Sequence, residues 1–226
     1  MPVLVDGVVR GQKHKLVLFP NRNAFYYVLD RVSGKFLLGK PYAKQTWAEG
    51  LNDDGRPIRV TGTAPSLAGT KVWPSVAGAN NWYSPSYSPQ TNLFYVAARE
   101  AGSIYYTGEA EYKPGERFDG GGFRAIPGEE EWGAVRAFKP ASGEVAWEYK
   151  LLTPPYAGLL ATAGNLVFGA TNEGQFFALQ ASTGKPLWRF QASSLPVRSN
   201  PMSYSVDGKQ HVAMTMGNSL YAFALE

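Results

Sequence analysis

Residues 178–190 read Ala-Leu-Gln-Ala-Ser-Thr-Gly-Lys-Pro-Leu-Trp-Arg-Phe, and residues 137–149 read Ala-Phe-Lys-Pro-Ala-Ser-Gly-Glu-Val-Ala-Trp-Glu-Tyr. Gly143 and Gly184 are separated by the same interval as Trp147 and Trp188. A third copy, Val28-Leu29-Asp30-Arg31-Val32-Ser33-Gly34-Lys35, keeps the turn but has no Trp after it. A strand–turn–strand phrase recurring about every 40 residues is the mark of a β-propeller blade. The Gly supplies the positive φ of a tight antiparallel turn, and the following Trp can lie flat on the next blade. A twisted sheet that is apolar on both faces cannot bury both alone, so each blade depends on its neighbours.

Composition agrees. Of 226 residues, 14% are aromatic, and 25 Gly and 16 Pro punctuate short apolar runs. Aromatic and β-branched residues fit a pleated surface, and no long window carries helical 3,4 spacing, so little helix is expected. Paired strands are expected over residues 15–20 and 25–31, with Asn21-Arg22-Asn23-Ala24 as their turn. Residues 44–57 read as a polar connection. Residues 71–87 are too rich in Gly, Pro and Ser for one strand and too aromatic for a solvent loop. Residues 108–131, with Gly120-Gly121-Gly122 and Glu129-Glu130-Glu131, read as a surface insertion. The expected architecture is all-β: one domain over 1–226, a partial β-propeller with about four to five blades present.

Several classes are disfavoured. A net charge of +4, from 22 basic and 18 acidic residues spread along the chain, gives no basic stripe for nucleic acid. No stretch reaches the ~18 apolar residues of a membrane-spanning helix. There is no Cys for a disulfide or a soft metal site. His14 and His211 stand in unrelated contexts and make no metal pair. The triple Gly neither opens a helix nor precedes Lys-Ser/Thr, so it is no phosphate loop. The amino terminus, Met1-Pro2-Val3-Leu4-Val5, has no charged leader or long apolar stretch, so no signal peptide is expected in this chain.

Ordered phrases over most of the chain resemble the carboxy-terminal part of the quinoprotein alcohol dehydrogenases, which use pyrroloquinoline quinone (PQQ). They include Tyr26-Tyr27-Val28-Leu29-Asp30-Arg31, Asn81-Trp82-Tyr83-Ser84-Pro85, Gly184-Lys185-Pro186-Leu187-Trp188, Arg198-Ser199-Asn200-Pro201 and Asp207-Gly208-Lys209-Gln210. The resemblance implies an eight-bladed propeller with PQQ and a calcium or lanthanide ion on its axis. It also implies cytochrome c as electron acceptor and a periplasmic location. On the residues alone, Arg22 is a turn cation, Asn81 a loop amide and Trp82 a docking indole. The resemblance implies instead that all three meet the cofactor. A fixed guanidinium stabilises charge on a reduced quinone, and an amide can bond its oxygens. Tyr156, in Pro155-Tyr156-Ala157-Gly158, falls where the family often has Trp-Gly-Gly near the quinone, so the resemblance implies a cofactor contact there too, with Tyr and Ala as departures.

The family's catalytic Asp lies in a Trp-Asp-Tyr-Asp phrase that would precede Met1, and its metal ligands lie further upstream. No catalytic residue and no metal ligand is therefore expected here, and Asp6 reads as a turn residue. The missing propeller half, or a second chain supplying it, is the expected partner. The competing expectation is a non-catalytic scaffold, because PQQ-like repeats also build protein-binding propellers that keep the Gly…Trp turn without Arg22 or Asn81-Trp82 equivalents.

Overall fold

The computed structural model describes residues 1–108, 111–192 and 195–224. The described residues contain β-strands and no helix. β1 (Val3–Val9), β2 (Gln12–Pro20), β3 (Phe25–Asp30) and β4 (Phe36–Pro41) form the first antiparallel sheet in sequence order. A small hairpin, β5 (Ala48–Leu51) and β6 (Pro57–Arg59), follows. It corrects the polar connection expected there, because Asn52 closes a tight turn by accepting from Asp54 N and Arg56 N through its side chain.

Next come β7 (Thr70–Val72), β8 (Ser86–Ser88), β9 (Leu93–Glu100), β10 (Ser103–Thr107), β11 (Gly121–Arg124), β12 (Trp132–Phe138) and β13 (Val145–Leu151). β8, β9, β12 and β13 make the second sheet. β10 and β11 leave it between β9 and β12 and pair with β7 as a three-stranded extension. Within the expected insertion at about 108–131, Glu109 and Ala110 lie outside the described residues. The third sheet holds β14 (Leu160–Thr162), β15 (Leu166–Ala170), β16 (Gln175–Gln180) and β17 (Pro186–Gln191). The fourth has three strands, β18 (Met202–Val206), β19 (Lys209–Met216) and β20 (Ser219–Ala224).

Four consecutive antiparallel sheets with three cores, one between each adjacent pair, make this a partial β-propeller. β9 shows how the residues build it. Every residue of this strand is buried, and its side chains alternate. Phe94, Val96 and Ala98 join Leu16, Tyr26 and Val28 in the first core. Leu93, Tyr95 and Ala97 join Val135, Val167 and Phe177 in the second. A strand apolar on both faces is what a sheet buried on both sides needs.

The repeated turn is superposable in its hydrogen bonds. Gly34 N donates to Asp30 O, Gly143 N to Lys139 O and Gly184 N to Gln180 O, at 2.8, 2.9 and 2.8 Å. The three glycines have φ of 73°, 66° and 74°. At Gly184 a Cβ would also lie 2.5 Å from Cε3 of Trp147, so the absent side chain is where the indole of the preceding sheet rests. Trp147 Nε1 then donates to Ala181 O at 2.9 Å.

The first sheet solves the same problem differently. In register, Val28 faces Leu38 where Ala137 faces Trp147 and Ala178 faces Trp188. With no indole available, Tyr26 crosses the interface. Its ring stacks on Phe138 at 5.8 Å and 13°, and its hydroxyl donates to Pro140 O at 3.1 Å. Pro140 precedes Gly143 as Ala181 precedes Gly184, so both docking bonds end on the same carbonyl of the turn.

Candidate functional site

The β2–β3 turn holds Arg22. Tyr42 Oη donates to Asn21 O at 2.9 Å and Trp47 Nε1 to Asn23 O at 3.1 Å, bracing the turn on both sides. Residues 75–84 cross in front of it. Ala79 N donates to Arg22 O at 3.0 Å, and Arg22 Nη2 donates to Val76 O. Gly78, at φ 78°, permits this approach, since a Cβ there would meet Arg22 Cγ at 2.9 Å.

The crossing segment is fixed to β9. Arg99 N donates to Ala79 O at 2.8 Å and the buried Asn80 amide to Ala97 O at 3.1 Å. Sequence reasoning passed over Asn80 in favour of its neighbour. Asn81 is half-buried and donates to Ala77 O at 3.3 Å. Trp82 is 46% exposed and stands edge-on to Tyr83, with ring centroids 5.6 Å apart. Tyr83 is buried and stands edge-on to Tyr156 at 6.4 Å.

The four residues singled out in the sequence thus lie along one chain of contacts rather than around one cavity. Arg22 lines an open groove of about 610 Å³ with Trp47, Arg59, Pro74 and Tyr105, and Asn81, Trp82 and Tyr156 do not line it. Tyr156 belongs to the connection between β13 and β14. Arg99 Nη1 donates to Pro155 O at 2.9 Å and Gly158 N to Ser199 O at 3.1 Å, so this connection is held by β9 and by the approach to β18. Ser84 N donates to Asn200 Oδ1 at 2.9 Å and Leu159 N to Ser84 O at 2.8 Å. Loops preceding β8, β14 and β18 therefore converge with the β2–β3 turn.

Glu173 brings a carboxylate to this convergence, accepting from Thr153 Oγ1 at 2.5 Å on the β13–β14 connection. Among the described residues, no ion pair involves Arg22, Arg99 or Arg198. Burial pushes the Tyr83 hydroxyl well above the usual phenol range, against an opposing pull from Arg99. That hydroxyl and Arg99 Nε are buried without hydrogen-bond partners. Asp6 and Glu129, which the sequence placed in a turn and in a surface insertion, are engaged elsewhere. Asp6 pairs with Arg31 at 3.0 Å, and Glu129 with Lys44 at 3.1 Å. His14 meets Asp30 at 3.0 Å, and His211 stacks on Tyr204 at 5.0 Å. No group of three or more His, Cys, Asp or Glu able to hold a metal occurs among the described residues.

Guanidiniums, an amide and aromatic rings along this chain of contacts, with the Tyr83 hydroxyl and Arg99 Nε left without partners, are chemistry suited to anions.

Comparison with known proteins bears on which anion. Residues 131–226 match the family model described as outer membrane protein assembly factor BamB. The chain is 40% identical to quinoprotein alcohol dehydrogenase PedH of Pseudomonas putida, over 92% of this chain and 36% of that protein. It is 38% identical to a quinoprotein ethanol dehydrogenase of the same species, over 92% and 35%. Among solved structures, the quinohemoprotein alcohol dehydrogenase of Comamonas testosteroni superposes with a TM-score of 0.88 at 30% identity, covering 96% of this chain and 34% of that one. A europium-containing methanol dehydrogenase superposes at 0.87 with 29% identity, over 95% and 38%. The chain spans about a third of the length of the curated relatives it matches.

Proposed function

From its kinship with the quinoprotein alcohol dehydrogenases, to which it is related over nearly its whole length, we propose that this chain forms one wall of a PQQ site in an enzyme oxidising alcohols to carbonyls. In this reading it is the carboxy-terminal part of such an enzyme. The remaining blades, the catalytic base and a calcium or lanthanide ion come from outside the 226 residues. The complete enzyme is periplasmic and passes electrons to a cytochrome c.

The observation that carries the reading is the pinning of Arg22 to the crossing segment that carries Asn81, next to guanidiniums without carboxylate partners among the described residues. When bound, PQQ supplies the two-electron acceptor. The chain's residues do the rest of what can be assigned here. Arg22 would hold the cofactor with a permanent positive charge that stabilises negative charge on a quinone oxygen, and its braced turn keeps that charge from reorganising. Asn81 offers an amide able to donate to such oxygens, and the exposed face of Trp82 offers a flat apolar wall. Tyr156 stands in place of the family's Trp and contributes a ring that carries a hydroxyl.

Calorimetric titration of the purified chain with PQQ tests the reading. Binding that weakens about tenfold in Arg22→Gln, the loss of one charge-assisted hydrogen bond, supports it. Binding indifferent to Arg22 and Asn81 refutes it. The chain by itself should reduce no dye with alcohol, PQQ and calcium supplied, and measurable turnover would overturn the assignment of the base to another segment.

A scaffold function is the second reading. It is favoured by the match of residues 131–226 to a family described as an assembly factor, since that segment contains two docking turns and neither Arg22 nor Asn81. Absence of PQQ binding together with a stable folded chain would favour it.

A further inference from the structure

Two consecutive residues on β9 pose opposite problems. Glu100 faces the first sheet, where it accepts from Arg136 Nη1 at 2.6 Å and from Lys44 N at 2.9 Å. Arg136, itself buried, is matched a second time by Glu148 at 2.6 Å. Here the fold supplies a carboxylate for each side of a buried cation. Arg99 points the other way, is 4% exposed, and pairs with no carboxylate among the described residues. Its Nη1 donates to Pro154 O and Pro155 O, and its Nη2 to Tyr156 Oη at 3.1 Å, while its Nε is left over. Carbonyls and a phenol satisfy protons but do not neutralise the charge, and a buried charge without a counter-ion is expensive.

The guanidinium lies over the ring of Tyr156, its Cζ 4.0 Å from the centroid. A second one, that of the exposed Arg198, sits 5.2 Å from the same centroid. The unpartnered Tyr83 hydroxyl is close enough to Arg99 for the cation to pull on its titration. Two cations therefore approach one aromatic ring, with a spare hydroxyl and a spare N–H nearby.

We infer that Arg99, Tyr156 and Arg198 form a carboxylate-binding subsite, in which a ligand carboxylate supplies the counter-charge that the chain does not. Arg198 makes the contact from the solvent side, and Arg99 fixes the Tyr156 ring and carries the buried charge. The inference rests on the reading above in taking that carboxylate to belong to the PQQ-type ligand. Its chemistry is that of any planar aromatic carboxylate.

The test titrates the full chain with PQQ and, separately, with pyridine-2,6-dicarboxylate, by calorimetry. The variants are Arg198→Gln, Arg22→Gln, and Arg189→Gln as a control on the exposed face of β17. Arg198 is exposed, so its replacement leaves the folded chain intact, and Arg99→Lys serves as a second variant that keeps the charge but loses the fork. The expected result is that Arg198→Gln weakens both ligands about tenfold or more and flattens the salt dependence, whereas Arg189→Gln changes neither. PQQ binding that depends on Arg22 but not on Arg198 overturns the subsite and leaves the PQQ reading standing. Dicarboxylate binding that depends on Arg198, with no PQQ binding, upholds the subsite and sinks the PQQ reading. Equal weakening by Arg189→Gln, or no binding of either ligand at millimolar concentration, overturns the subsite.

Discussion

Tyr26→Phe isolates a single interaction at the junction of the first two sheets. The ring is fully buried and its stack on Phe138 is kept by Phe, so the substitution removes only the hydroxyl. What remains is Pro140 O, on a buried residue, without the donor it had at 3.1 Å. A buried acceptor stripped of its partner costs about 1–3 kcal/mol. Tyr95→Phe is the matched comparison. Tyr95 Oη donates to Ala181 O at 3.1 Å, but that carbonyl keeps Trp147 Nε1 at 2.9 Å, and the half-buried Thr91 can turn to water. Its cost should stay near the ~0.5–1.5 kcal/mol of an ordinary net hydrogen bond. Urea unfolding followed by tryptophan fluorescence reads both. With m near ~3 kcal/mol/M, Tyr26→Phe should lower the midpoint by roughly 0.3–1 M and Tyr95→Phe by less, at unchanged m. If Tyr95→Phe proves as costly as Tyr26→Phe or costlier, the hydroxyl of Tyr26 is not the substitute for the missing indole.

Three further outcomes follow from the geometry. Gly184→Ala combines a positive φ with a Cβ 2.5 Å from Trp147 and should cost roughly 2–4 kcal/mol, whereas Gly34→Ala meets nothing within 4 Å and should cost only ~1–2, both read from thermal melts. Arg136→Ala strands the buried Glu100 carboxylate and should cost about 3–5 kcal/mol or prevent folding, with Arg136→Lys milder. Asp30 is held well below the usual carboxylate range, first by the Ser33 backbone N–H and then by His14. Its contribution is therefore fully present above pH ~4 and is lost as pH falls through the lower folded-state value. The stability gap between the parent chain and Asp30→Asn should accordingly close on acidification below pH ~4 in parallel pH-dependent melts, and a gap unchanged to pH ~2 would contradict this.

The repeat was legible because its physics is local. Gly143, Gly184 and the Trp four residues after each carry their own turn and docking surface, and the strands around them are short apolar runs. The first blade was only half legible. Leu38 announces the missing indole, but that Tyr26 replaces it depends on Pro140, more than a hundred residues away. The β7–β10–β11 extension was hidden for a similar reason. A three-residue strand pairing Val72 with Ser103 has no periodicity to detect. At the candidate site the polar phrases pointed to Arg22, Asn81 and Trp82, while Arg99 sat unnoticed inside an apolar strand. Its importance appears only when its lack of a carboxylate is set beside the double partnership of Arg136.

Strand β9 therefore acts as a polarity selector. Ala98 lies opposite Ala134, Arg99 opposite Gly133 and Glu100 opposite Trp132, and Gly133 is wedged against Pro155 so tightly that no side chain fits there. Sliding the strand by a single residue would turn every side chain to the other face. A carboxylate would then point at Tyr156 and a guanidinium at Lys44, so a surface built to welcome anions would repel them. The alignment of two neighbouring backbones sets the sign of the potential that an incoming molecule meets.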